Sequence, residues 1–345
     1  MPMFSKLNNP DDFYVIAEVG QNHQGSVEKA ITYIECFSRL GANAIKFQSR
    51  NNLTLFDSSV YDMPYSSTNS FGSTYGEHRE ALELSFDDFG QIKKACDETG
   101  CDLMITPFDE PSLDQSIRLG INLIKVASFD LGNLQFLDLI GRARLPTVMS
   151  TGGGNSEHIM ASVKQLVKVN SDLAILHCVS QYPCPPESMR LLEVQRLQSE
   201  YPELTVGISD HFNGIISGAL SYLLGARVFE KHVTFNRADK GTDHPFSLEP
   251  EGFRKFVRDI RRTRLMTSDS GSIGIGQETV FEKLGKSLIA SRDIPKGTIL
   301  SLVDFKSKII KPQGIPVRDT YRLLGREVKS NLIVGQALNW CDICL

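Results

Sequence analysis

The stretch FEKHVTF (229–235) has aromatic ends and β-branched residues, as a buried strand would, yet it carries Glu230, Lys231 and His232. Side chains alternate faces along a strand, so Glu230 and His232 share one face and Lys231 takes the other. Two groups that could move a proton or bind a metal therefore look the same way, although a structural ion pair would give the same pattern. Seven other apolar runs also end in polar groups: Glu18, Lys46, Thr106, Lys125 with Ser128, Ser150, Ser180, and Ser209 with His211. Two lysines and several hydroxyls are the donors that a phosphate and a carboxylate require. Histidines ending adjacent strands, roughly 5 Å apart, could converge on one ion, and nitrogen with oxygen ligands favours Mn²⁺, Fe²⁺, Co²⁺ or Zn²⁺ over Ca²⁺.

Such a ring needs a scaffold that brings eight strand ends together. The runs are 13–20, 43–49, 102–108, 122–128, 146–151, 173–180, 205–211 and 228–234, with amphipathic helix-length stretches between them, several ending in Gly. Eight strand–helix alternations predict a parallel sheet with right-handed crossovers, closed as a (β/α)8 TIM barrel, with a doubly wound open sheet as the alternative. In a barrel the loops at the C-terminal strand ends form the active face. The barrel is expected over 1–266 and a Gly/Ser-rich linker over 267–284. A small all-β module over 285–345 follows, marked by short strands broken at PKG and VGQ.

The chain has 345 residues, 23% of them charged, and a net charge of -4, which argues against a nucleic-acid binder. Residues 285–345 hold ten Lys or Arg against five Asp or Glu, a balance of +5, which leaves 1–284 at -9. A basic module beside an acidic body suits capture of an anion or docking on another acidic body. The start has no signal or transit pattern and no apolar run reaches membrane-span length, so a cytoplasmic protein without membrane partners is expected. The seven cysteines are scattered. Cys36, Cys96 and Cys178 read as small hydrophobes, and the pair Cys341 and Cys344 as ordinary thiols.

EVGQNHQG (18–25), GANAIKFQ (41–48), ITPFD (105–109), IKVASFD (124–130), STGG (150–153), HCVSQYP (177–183), GISDH (207–211), FEKHVTF (229–235) and GTDHPFSLEP (241–250) together resemble the N-acetylneuraminate (sialic acid) synthase family. SLIASRDIPKGTIL (287–300) is similar to that family's C-terminal antifreeze-like, or SAF, module. The resemblance runs over nearly the whole chain. It implies an enzyme that condenses phosphoenolpyruvate with N-acetylmannosamine, or a related N-acyl mannosamine-type aldose, and water to give a nonulosonic acid and phosphate. By the same resemblance His211 and His232 hold a divalent metal, Mn²⁺ with Mg²⁺ or Co²⁺ as alternatives. Glu18 and Glu230 do acid–base work. Lys46, Thr106, Lys125, Ser128, Ser150, Ser180 and Ser209 bind phosphoenolpyruvate, while Asp130, Tyr182 and Asp243 also bind substrate. A domain-swapped homodimer is implied, with each SAF module capping its partner's barrel. There Lys311, in IIKPQG, stands where many members place an Arg for the N-acyl group, and a Lys lacks the planar two-pronged contact. Asp130 stands where Glu is usual, and Ser180 where some members carry Asn. The loop 61–83 is expected to be a lid or a specificity element, with His78 and Arg79 as sugar contacts. Alternatives are a legionaminic or pseudaminic acid synthase, a Schiff-base aldolase using Lys125 or Lys46, and a non-catalytic sugar-binding protein of envelope biosynthesis.

Overall fold

Eight parallel strands close on themselves in the computed structural model, which describes residues 3, 4, 7, 12–170, 172–268 and 278–344. They are β1 (Tyr14–Gly20), β2 (Ala44–Ser49), β3 (Asp102–Pro107), β4 (Leu123–Val126), β5 (Thr147–Ser150), β6 (Leu173–Cys178), β7 (Thr205–Asp210) and β8 (Val228–His232). Each pairs with the next in sequence, and β8 returns to β1. The expected barrel is therefore the observed one. Its crossover helices have the local signals that start and stop a helix. Phe86–Thr99, for example, opens on a capping box between Ser85 and Asp88 and ends at Gly100, whose φ of 73° a residue with a Cβ rarely adopts.

Alternation along the strands decides what fills the barrel. Ile16, Ala44, Met104, Leu123, Val148, Leu176 and Val228 point inward as an apolar plug, joined by Phe4 and Tyr14. Two residues further along each strand the same inward face carries Glu18, Lys46, Thr106, Lys125, Ser150, Cys178 and Glu230. The floor is apolar and the layer above it is ionic. The outward faces pack against the helices, where Phe229 and Phe256 are fully buried; burying a side chain of that size contributes roughly 1.5–3 kcal/mol.

Lys231 points outward from β8 and is wholly buried. Its ammonium lies 2.8 Å from Asp210 Oδ2 and also donates to the carbonyl of Phe212. Asp210 in turn accepts from the Phe212 amide at 2.8 Å and from the Ser217 hydroxyl. Lys231 thus braces the turn after β7 and lies away from the cavity. Lys231→Met leaves a buried carboxylate unpaired and should destabilise the barrel by about 3–5 kcal/mol. A urea midpoint for barrel unfolding within error of the parent would refute this.

Two compact units divide the chain, Met1–Thr267 and Ser268–Leu345. The second is built on β9 (Ser287–Ala290), antiparallel to β10 (Phe305–Lys308), around a separate core that includes Leu288, Ile294, Leu300, Val328 and Leu338. Of the expected linker, 269–277 lies outside the described residues. Position 267 ends the helix Pro250–Thr267, and Val280–Leu284 is a short helix. Cys341 and Cys344 are free thiols. Among the described residues no helix is long and apolar enough to cross a membrane.

Candidate active site

The C-terminal strand ends open into a cavity of about 730 Å³. At its base Lys46 stands between two carboxylates, 3.3 Å from Glu18 Oε2 and 3.2 Å from Glu230 Oε1. Register places them there: Glu18 pairs with Lys46 on one side and His232 on the other, and Ser209 pairs with Glu230. Ser209 donates to Glu230 Oε1 at 2.9 Å, and Gln48 donates to Glu18 Oε1 at 2.8 Å. Lys125 donates to Ser150 Oγ at 2.7 Å and lies 3.9 Å from Glu230 Oε2. Thr106 Oγ1 is 3.4 Å from Lys46.

The two carboxylates are driven apart. Burial raises the pKa of Glu18 despite Lys46, so its carboxyl keeps a proton to higher pH than an ordinary glutamate. Burial acts against the charge of Glu230 as well, but Lys125 and Lys46 outweigh it and hold this carboxyl well below the usual range. Lys46 is buried too, yet its two carboxylates keep it charged, whereas burial lowers Lys125 to about 8. Two ammonium groups face one firmly ionised carboxylate, and this leaves positive charge for an anion.

Above Lys125, Gly152 sits where a Cβ would come within 2.3 Å of Ser180 Oγ and 2.8 Å of Ser128 Oγ. Only glycine fits there without displacing a hydroxyl. Its amide donates to Ser128 Oγ at 3.1 Å. Ser128 lines the cavity, while Ser180 lies just beyond the end of β6, in contact with that wall through Gly152. The inward position at the tip of β6 is Cys178. Read from sequence as a small hydrophobe, it is a cavity-wall thiol 3.6 Å from Ser128 Oγ. Burial would raise its pKa, but His211 brings it down to about 7.

His211 donates through Nδ1 to the carbonyl of Val179 at 2.8 Å, which leaves its other nitrogen to Cys178. His232 is held neutral by burial, its pKa lowered to about 3; its Nδ1 is buried without a hydrogen-bond partner and lies 3.7 Å from Asp243 Oδ2. The two rings are 5.4 Å apart. Among the described residues no three His, Cys, Asp or Glu side chains surround one metal position. Two imidazoles, one oriented by a backbone carbonyl and one with an orphaned nitrogen, do fit a divalent cation whose remaining ligands come from substrate or water.

Tyr182 packs on His211 with ring centroids 4.2 Å apart and planes tilted by 44°, and lines the cavity with Asp243. Asp130 does not reach the wall. It lies in the short turn Ser128–Asp130, where its carboxylate accepts from Asn133 Nδ2 at 3.1 Å, and the neighbouring Phe129 faces the cavity. Lys311 belongs to the second unit, is exposed, and donates to the backbone carbonyl of Glu282. His78 is packed among Tyr65, Phe71 and Tyr75, with ring centroids 4.7 Å, 5.9 Å and 6.2 Å away. Its neighbour Arg79 lines the cavity. Sequence reasoning missed Gln21, Gln48 and Arg50 on the same wall. Gln48 and Arg50 follow Lys46 at two-residue steps, a signal that could have found them.

Comparison with known proteins places this geometry among relatives. A model described as the NeuB family matches residues 33–271, and one described as the SAF domain matches 285–343. The chain is 34% identical over 317 residues to N-acetylneuraminate-9-phosphate synthase of Homo sapiens, covering 91% of this chain and 88% of that one. It is 30% identical to N,N'-diacetyllegionaminic acid synthase of Legionella pneumophila over 335 residues, 95% of this chain and 93% of the other. A crystal structure of N-acetylneuraminic acid (sialic acid) synthetase from Leptospira borgpetersenii matches with a TM-score of 0.68 and 28% identity, covering 79% of this chain and 90% of that one.

Proposed function

We propose, for a chain that belongs to the NeuB family, the condensation of phosphoenolpyruvate with an N-acyl mannosamine-type aldose and water to give a nonulosonic acid and phosphate. The observation that carries this is the buried base of the cavity, where Lys46 and Lys125 share Glu230 beneath a rim of hydroxyls. Carbon 3 of phosphoenolpyruvate bonds to the aldehyde carbon, and the aldehyde oxygen takes up a proton. Water adds at carbon 2, and the bond from carbon 2 to the phosphate oxygen breaks. Lys46, Lys125, Thr106, Ser128, Ser150 and Ser209 hold the phosphate and carboxylate. Glu18, which keeps its proton to higher pH than an ordinary glutamate, supplies the proton to the aldehyde oxygen, and ionised Glu230 fixes the two ammonium groups. Tyr182 and Asp243 face the sugar. His211 and His232 would hold a divalent cation, Mn²⁺ by preference, which when bound polarises the aldehyde as a Lewis acid.

Phosphate release from phosphoenolpyruvate with Mn²⁺ and N-acetylmannosamine, its 6-phosphate or 2,4-diacetamido-6-deoxy sugars tests this, with mass measurement of the product. Silence with every aldose rejects the reading. The proposed homodimer makes specific activity fall on dilution in the same assay, and constant activity counts against it. A second reading has one observation in its favour: the lowered pKa of Lys125 suits a Schiff-base aldolase. Borohydride trapping of pyruvate on Lys125, with activity indifferent to EDTA, would select it. The relatives' names divide between a product with a phosphate and products without one, so similarity alone does not choose the aldose.

A further inference from the structure

The cavity has a second cationic end, away from Lys46 and Lys125. Along β2 the inward face runs Lys46, Gln48 and then Arg50 just past the strand, in steps of about 6.6 Å toward the mouth. Arg50 has its own counter-ion: Nη1 lies 3.3 Å from Glu83 Oε1, and the guanidinium lies 4.0 Å over the Phe108 ring. Arg79, on the short helix Tyr75–Glu80, is different. Its Nε and Nη2 donate to Tyr75 Oη at 3.0 and 2.6 Å, and its Nη1 donates to Gln21 Oε1 at 2.7 Å.

Both acceptors are neutral. Among the described residues no carboxylate lies within ion-pair distance of Arg79: Glu83 is engaged by Arg50, Asp243 faces His232, and Glu77 accepts from Ser73 and Thr74. A guanidinium has five N–H groups, so two are left, one on each terminal nitrogen, in a side chain already fixed in place. A positive charge held in that way on a cavity wall is a preorganised anion site.

We infer that Arg79, backed by Arg50, binds an anionic group at the cavity mouth, and that the accepted aldose carries a phosphomonoester on the carbon farthest from its aldehyde. The inference rests on the condensation proposed above, which places the aldehyde at Glu18, deep in the cavity, and so turns the far end of the sugar toward the mouth. A free phosphate dianion has the geometry to take both remaining N–H groups of Arg79, which a sugar hydroxyl cannot match in charge.

Calorimetric binding of N-acetylmannosamine and of its 6-phosphate to the full chain, with Mn²⁺ and phosphoenolpyruvate analogues present, tests this without depending on turnover. The 6-phosphate should bind on the order of tenfold tighter or more, and Arg79→Gln should weaken it on the order of 10- to 100-fold. The Kd of the unphosphorylated sugar and the KM of phosphoenolpyruvate should hold, and Arg79→Lys should recover part of the loss. Equal or tighter binding of the unphosphorylated or 6-deoxy sugar overturns the inference. So does an Arg79→Gln variant that weakens both sugars alike, because Arg79 then only ties the loop in place. Absence of turnover with every aldose would reject the condensation, while the two Kd values would still decide the subsite.

Discussion

Alanine at His211 is expected to remove high-affinity Mn²⁺ binding, followed by electron paramagnetic resonance titration, and to lower kcat on the order of 10³-fold. That factor corresponds to the several kcal/mol a Lewis acid contributes to a developing alkoxide. The reason lies in how the ring is held. Its Nδ1 is committed to the Val179 carbonyl at 2.8 Å, so the ring is oriented and its other nitrogen, which faces the Cys178 thiol, is the one a cation would take. His232→Ala should behave alike, since its Nδ1 has no hydrogen-bond partner that would keep it for packing. EDTA should bring the parent protein to the level of the variants, and added Mn²⁺ should restore only the parent. Full activity of His211→Ala after EDTA treatment would sink the metal assignment.

The barrel and the ionic layer at its base were legible because both depend on a period of two. Once eight runs are recognised, an apolar residue followed two positions later by Glu, Lys, Thr or Ser marks an inward face leaving the plug for the cavity. Residues past the strand ends escape that rule. Asp130 turns into a short loop toward Asn133, and Arg79 arrives from an insertion about thirty residues beyond β2. Cys178 was misread for a different reason. Its side chain reads as a small hydrophobe, and only closure of β6 against β7 sets it beside His211. His78, expected as a sugar contact, is surrounded by aromatic rings, and no local pattern announces that packing.

The two carboxylates at the base offer the sharpest separation of roles, because their environments differ although both touch Lys46. Glu18→Gln keeps shape and can still accept from Gln48 through its amide oxygen, but it has no proton to give. Since burial already opposes the charge of Glu18, the change costs less electrostatically there than at Glu230, whose carboxyl the two lysines hold ionised. The expected result is a kcat lower by about 10²- to 10⁴-fold with the KM for phosphoenolpyruvate nearly unchanged. The sign of the pH effect follows from the raised pKa: the parent's kcat should fall as pH rises through the folded pKa of Glu18, and that limb should vanish in the variant. Glu230→Gln removes the one charge that two buried ammonium groups share. Lys125, already lowered to about 8, should then lose its proton more readily. Both the KM for phosphoenolpyruvate and the stability of the barrel should suffer, the latter by about 3–5 kcal/mol as a buried ion cluster loses its anion. If the two variants show the same split between kcat and KM, the carboxylates are not distinguished by their surroundings, and the assignment of Glu18 as the proton donor fails.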